Sequence, residues 1–488
     1  MSFFSEVVQG AAPGRRALVE LGRDGSRREW TFGELERHST RVAQALSARG
    51  VRRADVVMTL IGTRPQWACA MLACFRMGAI VLPCSEQLRA KDLRLRLDVA
   101  QPAAIVADER NRRELEAAGP QCPVLYRPGE EVDPTAPAPP PVELTPEDPC
   151  LITFTSGTAG EPKAVLHGAR YLAGQRLQAE HWLAPSPGDL VWCTAASGWS
   201  KSARNSFIAA WLRGAAALLH DGRFDPAERL ELLERERVNV LCMAPTEYRV
   251  MAKRVTLRPL GALRTAVAAG EALNPEVLHA WREATGLDVR DGYGQTETGQ
   301  LTAMPPGRPA RPGSMGLPLP GVRLDVEEGE LVAQPATVPT FFLGYLGEPP
   351  PRGRWHTGDR VQRDGDGYLY FEGRGDDVII SAGYRIGPFE VESALVSHPA
   401  VAEAAVVAAP DEERGSVVRA VVVLRQGPPE RGSARRELAH ELQEHVKRET
   451  APYKYPRVVD FADELPKTPS GKVRRAALRD PDPRPGPG

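Results

Sequence analysis

Cysteine is sparse in this 488-residue chain: seven residues, none in a C-x-x-C pair and none with a histidine nearby. That scatter excludes a recognisable zinc site and a disulfide framework, and a reducing compartment, the cytoplasm, is the expected setting. Long apolar runs are missing too. The most apolar stretch, Trp67 to Pro83, is interrupted by Arg76 and reads as a buried helix leading into a strand, so no membrane span is expected. Met1-Ser2-Phe3-Phe4-Ser5-Glu6 has no basic region followed by an apolar core, so no secretory signal is expected either. Nor does one sign of charge dominate. The 62 basic and 63 acidic residues leave a net charge of −1, which argues against general attraction to nucleic acid or to an anionic membrane. Neither G-x-x-x-x-G-K-[ST] nor G-x-G-x-x-G occurs, so a Walker A loop and a Rossmann fingerprint are both excluded.

What the chain does contain is the string Thr155-Ser156-Gly157-Thr158-Ala159-Gly160-Glu161-Pro162-Lys163, directly after the apolar run Leu151-Ile152-Thr153-Phe154. Small hydroxyl residues and glycines after a strand offer backbone N–H groups and hydroxyls to a polyphosphate, with Lys163 as a point charge. Composition is that of a globular protein, 42% hydrophobic and 26% charged, and the length calls for at least two domains. Thr31-Phe32-Gly33-Glu34 has capping-box spacing, and Leu35, Val42, Ala45 and Leu46 recur with helical period until Gly50. A strand at 56–61, a helix from Pro65 and a strand at Ile80-Val81-Leu82 follow, which predicts α/β layering with largely parallel strands. The proline-rich, acidic stretch from Arg127 to Pro149 predicts an exposed, extended connection. Beyond Arg374 two strands, Val401 to Pro410 and Val417 to Leu424, and a helix lined by Leu438, Leu442 and Val446 predict a small α+β domain, with a disordered tail over 481–488.

Three further strings stand in order after the first: Tyr293-Gly294-Gln295-Thr296-Glu297-Thr298, His356-Thr357-Gly358-Asp359 and Leu465-Pro466-Lys467-Thr468-Pro469-Ser470-Gly471-Lys472. The ordered set resembles the adenylate-forming superfamily of acyl-CoA synthetases, peptide-synthetase adenylation domains and luciferases. Gly198-Trp199-Ser200-Lys201-Ser202-Ala203, the run from Gly383 to Glu392 and the run from Ala451 to Arg457 are similar to medium-chain acyl-CoA synthetases in particular. Only eight of the 62 basic residues are lysines, and five of these (Lys163, Lys201, Lys454, Lys467, Lys472) fall inside the quoted strings. Lysine is retained where a compact ammonium suits the chemistry.

The resemblance implies a large ATP- and acyl-binding domain over 1–375 and a mobile lid over 376–480, hinged at Asp376. Thr155, Ser156, Gly157, Thr158 and Gly160 would hold the β- and γ-phosphates of ATP, with Lys163 closing the loop. Glu297 would bind Mg²⁺ and Thr296 would donate to the α-phosphate, within Asp291-Gly292-Tyr293-Gly294-Gln295-Thr296-Glu297. Tyr293 would offer a ring face to adenine, and Gly270-Glu271 would lie at the base's edge. Asp359 would accept from both ribose hydroxyls, because an ionised carboxylate offers only acceptors, and Arg374 would reach ribose or phosphate from the opposite side. Lys472 would carry adenylation, and rotation of the lid would replace its loop with Gly383-Tyr384-Arg385, which faces CoA. Ala159 stands where the family often has Thr or Ser, so one hydroxyl is lost.

The expected activity is ATP- and Mg²⁺-dependent acyl-CoA formation through an acyl-adenylate, with AMP and pyrophosphate released. The expected partners are a medium-chain or aromatic carboxylic acid, ATP and CoA, and a homodimer stays open. An enzyme loading a carrier protein's phosphopantetheine is the alternative, and a catalytically silent nucleotide-binding regulator is the alternative of another class. Trp199 is expected to wall the acyl channel. Acetate-activating relatives have a tryptophan after the aromatic residue of the adenine motif where this chain has Gly294, so a deep acyl pocket is expected, and Gly294→Trp is expected to favour the shortest acids.

Overall fold

Apolar runs too short for helices, alternating with amphipathic stretches, lay down parallel strands covered on both faces. In the computed structural model, Val56–Leu60 pairs in parallel with Ile80–Cys84, placing Val57 opposite Val81 and Met58 opposite Leu82. The structure describes residues 3–126, 137–155, 162–270, 273, 275–375, 377–381, 384–411, 414–427, 433–468 and 472–479, with only the backbone of residues 385 and 415.

Local signals place the first helices. Phe32–Ala48 starts on a complete capping box, with the Thr31 hydroxyl accepting from the Glu34 N–H and the Glu34 carboxylate accepting from the Thr31 N–H; Leu35, Val42, Ala45 and Leu46 are buried. Pro65–Met77 has proline at its first helical position and ends on Gly78 at φ 67°, a left-handed conformation that glycine adopts without strain. Arg76, only 8% exposed inside this apolar helix, has a structural use. Its guanidinium donates to the Pro139 carbonyl at 2.9 Å and to the Thr40 hydroxyl at 3.3 Å, and its own carbonyl accepts from the Val142 N–H at 2.8 Å. The connection before Pro149 is therefore less exposed than its composition predicts: Leu144 is buried, and residues 137–148 are tied to the large domain by backbone groups that proline content does not reveal.

Two large sheets share a continuous core. Among the described residues one is seven-stranded, with Pro149–Phe154, Ile80–Cys84 and Val56–Leu60 as its central strands. The other is thirteen-stranded: parallel where Leu190–Cys193, Val240–Met243, Thr265–Ala269 and Val289–Gln295 lie, and antiparallel from Val289–Gln295 through Gly299–Ala303 onwards. Beyond residue 386, Val401–Asp411 pairs antiparallel with Gly415–Leu424, which pairs in parallel with Val458–Phe461. The helices Pro388–Ser397 and Ser433–Glu449 pack on this small sheet, with Leu442 and Val446 buried and Leu438 partly so. The architecture is thus a large sheet-rich α/β domain followed by a small α+β domain.

Candidate active site

In an open α/β sheet, ligands bind outside the carboxyl ends of the strands. Here the residue immediately after each of seven strands, Ser85, Thr155, Thr194, Asp221, Ala244, Gly270 and Thr296, lines one cavity of about 2010 Å³. The small domain contributes Glu403, Lys467 and Lys472 to the same cavity.

Its polar floor is built by strand pairing. Trp355–Arg363 runs antiparallel to Leu369–Arg374, and the register sets Asp359 directly opposite Arg374. The Arg374 guanidinium donates to Asp359 Oδ1 at 3.4 Å. On the other side, the Gln295 amide donates to Asp359 Oδ2 at 2.9 Å and to the Thr357 carbonyl at 2.8 Å, and the Tyr293 hydroxyl also donates to Oδ2. Burial, at 5% exposure, pushes the Asp359 carboxyl above its ordinary range, while the Tyr293 hydroxyl, the Arg374 charge, the Gln295 amide and the Lys472 charge oppose that push. Gln295 is itself oriented by the Trp355 indole N–H, 2.9 Å from its Oε1.

The strand carrying Tyr293 and Gln295 turns back at Thr296-Glu297-Thr298 into Gly299–Ala303, so the turn projects into the cavity. The buried Thr298 hydroxyl accepts from the Gln295 N–H at 3.1 Å, and the Glu297 carboxylate accepts from the Tyr345 hydroxyl at 2.8 Å. Asp291, Gly292 and Gly270 line the cavity on the same side, and Gly270 takes φ +104°. Part of Asp291 faces the cavity, yet the protein packed around it dominates and burial pushes its carboxyl up to about 8.

Gly294 also lines the cavity, but the structure corrects the expectation that a tryptophan at this position would simply close the acyl pocket. A Cβ on Gly294 would lie 1.9 Å from the Gly299 carbonyl oxygen. Glycine is required by the close approach of the two strands, so Gly294→Trp would disrupt the hairpin before it filled any pocket.

The base of the Thr155–Lys163 loop is closed by two hydrogen bonds, Thr155 N–H to the Lys163 carbonyl at 2.9 Å and Lys163 N–H to the Thr155 hydroxyl at 3.0 Å. The Lys163 ammonium lies 3.6 Å from Glu348 and 4.5 Å from the centre of the Tyr345 ring. Ser156, Gly157, Thr158 and Gly160 fall outside the described residues, as does Glu271. A cavity that brings Lys163, Arg374, Lys472 and hydroxyl donors together with the Asp359 carboxylate, an acceptor when ionised, suits a polyanion attached to a vicinal diol.

The family model of AMP-binding enzymes matches residues 5–346, and that of the AMP-binding enzyme C-terminal domain matches residues 390–472. The chain belongs to the AMP-binding enzyme family. It is 40% identical to an uncharacterised acyl-CoA ligase, YtcI, of Bacillus subtilis, over 97% of this chain and 95% of that protein. It is 39% identical to the human mitochondrial acyl-coenzyme A synthetase ACSM4, over 96% and 87%. A crystal structure of a benzoate CoA ligase from Burkholderia xenovorans superposes with a TM-score of 0.87 at 26% identity, covering 98% of this chain and all of that one (100%).

In this member of the AMP-binding family the small domain presents Lys472 to the cavity. The base of its loop is closed by Thr468 N–H to the Lys472 carbonyl at 2.8 Å and Lys472 N–H to the Thr468 hydroxyl at 3.2 Å. Tyr384 lies elsewhere: it is exposed, stacks on Tyr453 at 4.4 Å, and does not line the cavity. Gly383 and Asp376 are outside the described residues, and Arg385 is described only as backbone opposite Ile380. Trp199 lines the cavity and is partly exposed, unlike the fully buried Trp67, Trp182, Trp192 and Trp281. Lys454 pairs with Glu390 away from the cavity, and its place among the cavity lysines is taken by Lys253, whose ammonium donates to the Ala402 carbonyl of the small domain at 2.9 Å.

Sequence reasoning missed Tyr345 and Trp355, which hold Glu297 and Gln295. Neither stands in a recognisable string; the only available signal was an aromatic residue next to His356-Thr357-Gly358-Asp359, and for Tyr345 there was none.

Proposed function

We infer that this chain is an ATP-dependent acyl-CoA synthetase that activates a medium-chain or aromatic carboxylic acid. The acid's carboxylate oxygen attacks the α-phosphorus of ATP, the bond to the β-phosphate breaks, and pyrophosphate leaves. The sulfur of CoA then attacks the acyl carbonyl of the adenylate, the thiol proton is lost, and AMP departs. The observation that carries this reading is the single cavity shared by the Asp359–Arg374 pair, the Thr296-Glu297 turn and Lys472, in a chain whose relatives are acyl-CoA synthetases across nearly its full length.

The roles follow from the chemistry of each group. Asp359 accepts from the ribose hydroxyls, held for this by Gln295 and Tyr293, with Arg374 beside it. Tyr293, Gly270, Glu271, Asp291 and Gly292 surround adenine. The Thr155–Lys163 loop, with Ser156, Gly157, Thr158 and Gly160, takes the β- and γ-phosphates, and Thr296 donates to the α-phosphate. Lys472 neutralises charge as carboxylate and phosphate converge, which is where preorganised cations lower a barrier most. Trp199 walls the acyl channel, with Gly294 letting the hairpin close behind it.

Mg²⁺ suits the site, since it is commonly held by one carboxylate together with substrate phosphates; Glu297 is that carboxylate, and no cluster of three metal-ligating side chains exists among the described residues. Bound there, the ion would offset phosphate charge. The hydrogen bond from Tyr345, itself a lining residue, fixes the direction of the Glu297 carboxylate. The small domain over 376–480 turns at Asp376 to bring Gly383, Tyr384 and Arg385 to CoA; the absence of Tyr384 from the present cavity supports a second orientation. No helix among the described residues is long and apolar enough to cross a membrane, and the seven cysteines are unpaired, which suits the reducing cytoplasm.

Pyrophosphate release over a panel of straight-chain and aryl acids, followed by thioester detection with free CoA, tests the reading. Butyrate to octanoate or a benzoate should exceed acetate in kcat/KM, because each buried CH₂ contributes about 0.8 kcal/mol. Release without any CoA thioester would point instead to a carrier-protein acceptor, and no release from any acid would overturn the enzyme reading.

A further inference from the structure

Arg204 has no part in the chemistry above, yet it lines the cavity and is only 5% exposed. It follows Trp199, Ser200 and Lys201 in the helical segment that faces the acyl channel. Its Nε and Nη1 donors are buried and meet no acceptor, and no carboxylate pairs with it among the described residues. A Cβ built on Gly299 would lie 3.5 Å from Nη1, which places the guanidinium beside the start of the strand that follows the Thr296-Glu297 turn. Its charge is felt by His167 and Tyr171 on one sheet's side and by Cys242 on the other's, so it sits between the two layers.

Partners are missing around it as well. The Gln178 side-chain amide oxygen is buried without a partner, although the Gln178 amide nitrogen donates to the Asn205 side chain at 3.0 Å. A guanidinium in a protein always carries its charge. Burying that charge unpaired is strongly unfavourable, and native structures rarely leave such donors orphaned without a water, ion or ligand to complete them.

We propose that Arg204 reads the far end of the substrate: the carboxylic acid this enzyme activates carries a second oxygen acceptor, a carboxylate best and a keto or hydroxyl oxygen next, remote from the reacting carboxyl group. The proposal rests on the reading of the chain as an acyl-CoA synthetase and narrows its substrate class. Trp199 supplies the apolar wall along the channel, and Arg204 supplies the polar end. A site built to bond an oxygen rejects the analogue lacking it far more strongly than an apolar pocket rejects an added group, because the buried donors are then left unpaired.

The test compares acids of matched length in wild-type enzyme by pyrophosphate release: octanoate with octanedioate, hexanoate with 5-oxohexanoate, and benzoate with 4-carboxybenzoate and 4-hydroxybenzoate. The oxygenated member of at least one pair should have a kcat/KM at least about tenfold higher. Arg204→Met, which keeps an unbranched side chain, should reverse that order, and Arg204→Lys should keep part of it. Preference for the plain acid in every pair would overturn the proposal and assign the orphaned groups to buried water; the wild-type panel decides this even if the variants fail to fold. An equal loss on both members in folded Arg204→Met would overturn it too. Release from no acid at all would overturn the synthetase reading and this proposal together, whereas release confined to plain acids overturns the proposal alone.

Discussion

Replacing Gln295 by glutamate tests whether the ribose carboxylate is held by its neighbours as described. The wild-type amide donates to Asp359 Oδ2 across 2.9 Å. A glutamate there would set a second carboxylate at about the same separation. With an effective dielectric of about 20, two unit charges at that distance repel by about 6 kcal/mol, equivalent to about four pH units. Burial already raises the Asp359 carboxyl, so the pair would keep one proton through neutral pH. Hydrogen bonds to a charged group contribute about 1.5–3 kcal/mol against about 1 for neutral ones. With the shared proton on Asp359, an oxygen that faces the ribose becomes part of a neutral acid, and this should raise the KM for ATP by roughly 10–100-fold.

Gln295→Leu is the uncharged control. It removes the donor without adding repulsion, and should raise the KM for ATP by only about fivefold, for about 1 kcal/mol. In both variants kcat should change little, because a ribose contact acts equally in ground and transition states. Pyrophosphate release against ATP concentration gives the kinetic readout, and the shift of Tm on adding AMP gives an independent one. A Gln295→Glu enzyme with unchanged ATP dependence, or one that loses kcat at constant KM, would refute the assignment of Asp359 to the ribose.

Lys472→Ala should abolish adenylate formation while still permitting thioester formation from a supplied acyl-adenylate; equal loss of both in a folded variant would show that the lysine is not specific to the first half-reaction. Asp376→Pro, which restricts the backbone at the proposed hinge, should spare pyrophosphate release far more than CoA ester formation, and full thioester activity would place the hinge elsewhere. Burial pushes the Asp291 carboxyl up to about 8 from an ordinary 3.8, so the folded chain holds an extra proton between those values and loses stability as pH rises from about 4 to 8, with no further loss above. Asp291→Asn removes this dependence, so its Tm relative to wild type should climb between pH 5 and pH 8; a constant difference would show that Asp291 is ionised throughout.

Features set by neighbours in the chain were legible before the structure, and features set by strand pairing were not. The capping box at Thr31 and Glu34, the parallel strands at Val56 and Ile80, and the helix with Leu442 and Val446 inward each depend on spacing within one segment. The loop following Phe154 was placed by its strand, and the closure of its base by Thr155 and Lys163 agrees with that placement. By contrast, the Tyr345 bond to Glu297 spans 48 residues and the Trp355 bond to Gln295 spans 60, and neither leaves a local trace. Gly294 shows the same limit in reverse. Its lack of a side chain was read as room in a pocket, whereas its reason lies in the Gly299 carbonyl on the neighbouring strand.

The division between lysine and arginine acquires a physical sense once the cavity is drawn. Five of the eight lysines, Lys163, Lys201, Lys253, Lys467 and Lys472, line it. Four of these have few, exchangeable anchors: Glu348 and the Tyr345 ring for Lys163, the Ala269 carbonyl for Lys201, the Ala402 carbonyl for Lys253 and Glu403 for Lys467. The exposed Lys163–Glu348 pair contributes about 0–1 kcal/mol, so a phosphate can displace Glu348 from Lys163 at little cost. Arginine is used where a contact has to persist. Arg475 grips both oxygens of Glu392 within the small domain, and Arg110 bridges Glu86 and Asp221 on loops from the two large sheets. A forked guanidinium loses less side-chain entropy per bond than a flexible ammonium and holds its partner's orientation. Clamps of arginine fix the frame, and the lysines inside it stay free to trade partners during two half-reactions that need different ones.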